Sequence, residues 1–109
     1  MAFKNLFRGN QIIVPVKITD DDGNPRDLTG TTIRFRAHRD GVDPAGVFDI
    51  DKTAVLTDAV AGECEVDLTN PTDLDLDPAL YNWEIFEEVG STETTLNFGV
   101  FTLHDSHFA

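Results

Sequence analysis

Ile12, Val14, Val16 and Ile18 alternate with Ile13, Pro15 and Lys17, a period of two that fits a half-buried strand and no helix. Pro15 has no amide hydrogen to give to a ladder, so this strand is expected at a sheet edge or at a bulge. The run Asp20-Asp21-Asp22-Gly23-Asn24-Pro25 then ends it, because Gly and Asn accept positive φ and Pro holds φ after the reversal. Alternation resumes with Ile33, Phe35 and Ala37 on one face and Thr32, Arg34, Arg36 and His38 on the other. Arg39 to Gly46 is loop by its Gly and Pro content. Val47 to Leu56 reads as one further strand, with Phe48, Ile50, Ala54 and Leu56 in phase.

After a short connection from Asp58 to Gly62, Cys64, Val66 and Leu68 point one way and Glu63, Glu65 and Asp67 the other. Asn70 to Pro78 is rich in Asp, Asn and Pro, so it should cross between sheets as a loop. Tyr81, Trp83 and Ile85 form an aromatic-rich inward row, with Asn82, Glu84 and an exposed Phe86 opposite. Gly90-Ser91 marks a hairpin turn, and Thr94 to Leu103 returns as the last strand. Leu96, Phe98 and Val100 share one face and Phe101 and Leu103 the other, which predicts a bulge at Gly99. About seven short strands joined by turns, without helical periodicity, make an all-β, immunoglobulin-like antiparallel β-sandwich the expected fold. It should span residues 11–109, with residues 1–10 as an N-terminal arm that docks on a neighbour or as an edge strand of its own sheet.

A chain of 109 residues has room for one hydrophobic core and not two. Its 20 Asp and Glu against 8 Lys and Arg give a formal net charge of −12. Such a surface repels phosphate backbones and anionic headgroups, so neither nucleic acid nor membrane is an expected partner. The acidity fits two settings, ordinary solubilising charge or a high-salt environment. The apolar run from Gln11 to Val16 is far short of the ~20 residues of a spanning helix, and no signal-peptide core follows Met1. Synthesis in the cytoplasm is the expectation. Cys64 is the single cysteine, so no intramolecular disulfide forms.

Little in the chain has the makings of catalysis. Nucleophilic chemistry needs a Ser, Cys or Thr beside a base. His38, His104 and His107 are the only histidines, and Cys64 sits mid-strand on the apolar face. His104 and His107 offer two metal ligands where a zinc site needs three or four. Asp73, Asp75 and Asp77 follow the first, third and fifth positions of a calcium loop, with Glu84 at the twelfth. Pro78, however, stands where that loop requires Gly, which leaves the three Asp as weak calcium candidates beside the simpler reading of solvated loop carboxylates. The Asp20–Asp22 turn is read the same way. No enzyme activity, cofactor or metal is expected. Arg34 and Arg36 should pair across strands with Glu63, Glu65 or Asp67; alternatively they form a cationic contact strip for another copy of this acidic chain.

Three stretches together carry a resemblance. Val16 to Phe35, with its strand, D-G-N-P turn and D-L-T-G segment, resembles the opening of the immunoglobulin-like domains of tailed-phage virion proteins, notably the amino-terminal domain of baseplate upper proteins. Gly62 to Thr69, Leu80 to Ile85 and Phe98 to Leu103 look like the later strands of that domain. The resemblance implies a non-enzymatic structural subunit of a tailed-virus particle, located in the virion, with other virion proteins as partners and a homo-oligomer within an assembly. Those proteins continue into linker and attachment regions where this chain stops at Ala109, so the expectation is an accessory tail, baseplate or capsid-decorating subunit. Phe3, Phe7, Phe86, Phe108, Arg34 and Arg36 are the candidate interface residues, because buried aromatics dominate contact energetics. The competing reading is a carbohydrate-binding or adhesive module, calcium-supported through the acidic loop, which requires Tyr81 and Trp83 to face solvent.

Overall fold

The computed structural model describes residues 5–41, 46, 48–70 and 72–105. Among them are eight strands: β1 (Asn5–Phe7), β2 (Ile12–Lys17), β3 (Thr32–Arg39), β4 (Ile50–Thr53), β5 (Val55–Asp58), β6 (Glu63–Leu68), β7 (Ala79–Val89) and β8 (Thr92–His104). They form a five-stranded sheet in the order β1-β8-β7-β3-β4 and a three-stranded sheet in the order β2-β6-β5. Lettered in the immunoglobulin manner, β2, β6 and β5 are B, E and D, facing a sheet in which β8, β7, β3 and β4 are G, F, C and C′. The expected all-β sandwich is therefore the fold.

Two details of the strand reading change. The stretch from Val47 to Leu56 is not one strand, because its backbone leaves one sheet for the other at Ala54. β4 pairs with β3, β5 pairs with β6, and the Ala54 amide donates to the Ile33 carbonyl at 2.8 Å as the chain crosses. Side-chain phase continues through this switch because both inner faces look into the same core, so alternation alone cannot reveal it. The sandwich is also not wholly antiparallel: β1 runs parallel to β8, with Leu6 opposite Leu103 and both buried. Asn5–Phe7 thus pair along their own sandwich as an edge strand. β2 lies at the edge of the small sheet, as Pro15 requires.

The core fills the space between the sheets. Ile33, Phe35, Ala37, Tyr81, Trp83, Ile85, Phe101 and Leu103 come from the large sheet; Val14, Val16, Cys64, Val66 and Leu68 come from the small one. Loops close the ends, with Leu28 and Leu74 wholly buried. Each large apolar side chain removed from water contributes about 1.5–3 kcal/mol, so packing alone can hold a domain without a disulfide. The Asn70–Pro78 segment does cross between sheets. It is pinned by Leu74 beneath and by Lys52 Nζ, which lies 2.7 Å from Asp73 Oδ1. At its exit the Tyr81 hydroxyl donates to the Asp77 carbonyl at 2.6 Å, the tyrosine corner of immunoglobulin-like sandwiches. The Tyr81 ring stacks on Phe101, 5.3 Å between centroids. Two residues further on, where antibody domains carry the second cysteine of their disulfide, β7 presents Trp83.

The predicted bulge is displaced. β7 and β8 keep one register from Ala79 opposite Leu103 to Ile85 opposite Asn97, so Gly99 is an ordinary ladder position facing Trp83. The irregularity falls between Ile85 and Phe86, where Leu96 is the extra residue of β8 and turns inward to pack on the core.

Candidate protein interface on the large sheet

The outer face of the five-stranded sheet has two halves. Over β3 and β7 lies a charged cluster. Arg34 reaches Asp51 and Glu88, and Arg36 reaches Glu84 and Glu93. The guanidinium of Arg36 rests 4.2 Å from the centre of the Phe86 ring and that of Arg34 5.9 Å, so Phe86 is 2% exposed although it points away from the core. The exposed anchor expected at Phe86 is thus corrected: its neighbours on β3 are long enough to roof it. The ion-pair partners are corrected too. Glu63, Glu65 and Asp67 lie on β6 in the other sheet, beyond the reach of β3, and the arginines take acids from β4, β7 and β8 instead.

The second half, over β8 and the start of β7, is apolar and open. Phe98 is 76% exposed, Val100 49% and Leu80 48%. Phe98 stands opposite Glu84, Val100 opposite Asn82, and Leu80 opposite Thr102, so the three form one outward strip. Beside it runs a groove of about 510 Å³ between Phe98, Val100, Asn82, His38, Phe48 and Arg36. The polar side chains here are largely occupied with one another. Asn82 Nδ2 donates to Asp40 at 2.9 Å, Thr95 Oγ1 donates to Glu84 at 3.1 Å, and Arg36 also lies over the Phe48 ring at 4.7 Å. A surface with apolar knobs and satisfied polar groups suits a packed protein contact better than a ligand that needs many hydrogen bonds.

The remaining site expectations sort as follows. Phe7 sits on β1 with its ring 5.2 Å from that of His104, whose Nε2 is 2.9 Å from Asn5 Oδ1. Phe3, Phe108 and His107 lie outside the described residues. Asp73, Asp75 and Asp77 do not converge: each turns to its own cation, Lys52, Arg8 and Arg39 respectively. Among the described residues no group of three metal-ligating side chains gathers. The Asp20–Asp22 turn is held by the Asp20 side chain, whose Oδ1 accepts from the amides of Asp22 and Asn24. Tyr81 and Trp83 are buried, which removes the aromatic platform the carbohydrate reading required. Cys64 is buried as well; loss of hydration, then the neighbouring Glu65 carboxylate, push its thiol up to about 11. A thiol so protonated is no nucleophile at neutral pH.

Phe98 and Val100 were visible in sequence only as members of an alternating row. Their exposure follows from the continuous register through Gly99. A signal was present all the same: Thr94 to Leu103 contains no Asp, Glu, Lys or Arg in a chain that is 26% charged.

Fold and site together define an immunoglobulin-like sandwich that presents an apolar strip on its G-F-C face. No protein-family model matches the chain, and no curated protein matches it. Among solved structures it is similar to the N-terminal domain of phage TP901-1 ORF48, with a TM-score of 0.56 and 14% identity over 96% of this chain and 85% of that one. At that identity the likeness is one of fold.

Proposed function

We propose that this chain is a non-enzymatic structural subunit of a tailed-phage particle, an accessory tail, baseplate or capsid-decorating protein that acts through protein–protein contact. The observation that carries the reading is the extent of the fold likeness: it takes in 96% of the chain, so the sandwich as a whole, and not a fragment of it, is similar to a phage protein's N-terminal domain. The site supports the same reading, because the exposed chemistry gathered on one face is apolar contact surface. Tightly paired sheets around a dense core keep that face in one shape, which limits the ordering cost of docking. Mass spectrometry and immunogold electron microscopy of purified particles test the proposal. The chain should appear at a fixed position and in fixed copy number; its absence from intact particles would sink the reading.

A further inference from the structure

The uncharged run of β8 is hard to explain as solvent-facing surface. On a chain of net charge −12, the outer face of β6 carries Glu63, Glu65 and Asp67, whereas Phe98, Val100 and Leu80 stand on β8 and β7 exposed and without a charge among them. A cationic partner would be met best by carboxylates, and a saccharide by free polar groups. A partner that is itself strongly acidic would be repelled by carboxylates such as those of β6, and meets the least repulsion where the surface is cleared of charge. The most readily available acidic partner is the chain itself.

We propose that the chain forms a two-fold dimer through this strip, with Phe98 of each copy entering the groove beside Phe98 of the other. Knob and hole lie next to each other on one face, which is the arrangement an isologous contact needs, since each residue then serves both copies. The remaining charges on the face are half neutralised, two arginines against four carboxylates, which leaves two net negative charges per copy for salt to screen. Asp51, Glu84, Glu88 and Glu93 are each within ion-pair reach of Arg34 or Arg36 of their own chain. The footprint is small: at ~3.3 Å per residue and ~4.8 Å between strands, the five strands give the whole sheet face about 600 Å², below the ~800 Å² per partner of a standard interface, so a weak, concentration-dependent dimer is expected. Because two bodies of −12 repel at long range, the dimer should tighten as salt rises, the opposite of an interface built on ion pairs.

The inference is independent of the particle reading, and its test uses the purified chain alone. Sedimentation velocity over a wide concentration range, at low and at molar salt, should show a monomer–dimer equilibrium favoured by salt. Phe98→Glu should weaken it at least ~30-fold, the size expected of a central aromatic anchor. Val60→Glu adds the same charge at a residue that is 70% exposed in the β5–β6 turn, and should leave the dimer intact. A monomer under all conditions overturns the inference, as does open-ended growth or a dimer indifferent to Phe98→Glu. A monomeric chain that still needs Phe98 to join particles would assign the strip to a different virion protein, and would overturn the dimer while leaving the proposed function standing.

Discussion

Gly99 stands directly across from Trp83 on the neighbouring strand, and the indole lies over its α-carbon: a β-carbon there would sit 2.9 Å from Cζ2 and 3.1 Å from Nε1. Glycine weakens a strand by itself, yet here it makes the room the ring occupies. Gly99→Ala should therefore cost about 1–3 kcal/mol, the range for overpacking a formed core. Trp83 is the only tryptophan, so its emission reports the displacement directly. An unchanged spectrum together with an unchanged urea midpoint would mean that the ring has slack.

Gly62 poses a stricter constraint of another kind. It has φ +72°, and a β-carbon would run into the Ile18 carbonyl oxygen and lie 2.8 Å from that of Arg26, both backbone atoms; the Arg26 amide donates to that Ile18 carbonyl and the Ile18 amide to the Gly62 carbonyl, which holds them in place. Gly62→Ala should cost at least ~3 kcal/mol, adding a clash to the strain of a left-handed residue. Gly30 has a similar φ of +78° with nothing within 4 Å, so Gly30→Ala should cost only the strain, ~1–2 kcal/mol. Equal losses in chemical denaturation would show that dihedral strain, and not close approach, governs both.

What could be read beforehand and what could not divide along a physical line. Period-two alternation reports which way a side chain points, and it placed Phe35, Trp83 and Val66 correctly in the core, whereas on β8 apolar residues on both faces left the inward row open. It does not report which strand lies alongside. The acids facing Arg34 and Arg36, the sheet switch at Ala54 and the parallel pairing of β1 all depend on partners distant in sequence. Nor does direction equal exposure. Phe86 and Phe98 both point outward, yet one lies under two guanidinium groups and the other stands bare, because only β3 carries long cationic side chains beside its neighbour. The exposed strip of β8 leaves a trace in composition, an uncharged stretch in an acidic chain, but only the ladder register turns that trace into an outward-facing row.

Tyr81 fixes the point where the crossing loop enters β7. Its hydroxyl donates to the Asp77 carbonyl at 2.6 Å while its ring packs on Phe101. Tyr81→Phe keeps the ring and deletes the bond, leaving a carbonyl short of a donor, which should cost about 1–2 kcal/mol. Hydrogen exchange should localise the change: amides of the 72–78 loop, including that of Asp75 bonded to Thr72, should exchange faster, while those of β3 keep their protection. Loss spread evenly over both sheets would instead make Tyr81 a core residue whose hydroxyl does no local work.

Cys64 gives the fold an alkaline limit. Burial, and then the adjacent Glu65 carboxylate, raise its thiol from 9.0 to about 11. Below pH 9 the thiol is protonated in both folded and unfolded chains, and its contribution is constant. Between about pH 9 and 11 the unfolded chain has released a proton that the folded chain still holds, so the unfolded state binds fewer protons and stability falls as pH rises. At ~1.4 kcal/mol per unit the loss amounts to about 2–3 kcal/mol across that window. Tyr81 adds to it further up, since desolvation and then Asp49 hold its phenol above the ordinary 10.0. Urea unfolding of the wild type and of Cys64→Ala should therefore give curves of midpoint against pH that differ in slope. The variant starts lower, because a packed sulfur is missing, and declines less between pH 9 and 11. Parallel curves would show that the thiol ionises as readily in the sandwich as in the open chain, and that water reaches it through the small sheet.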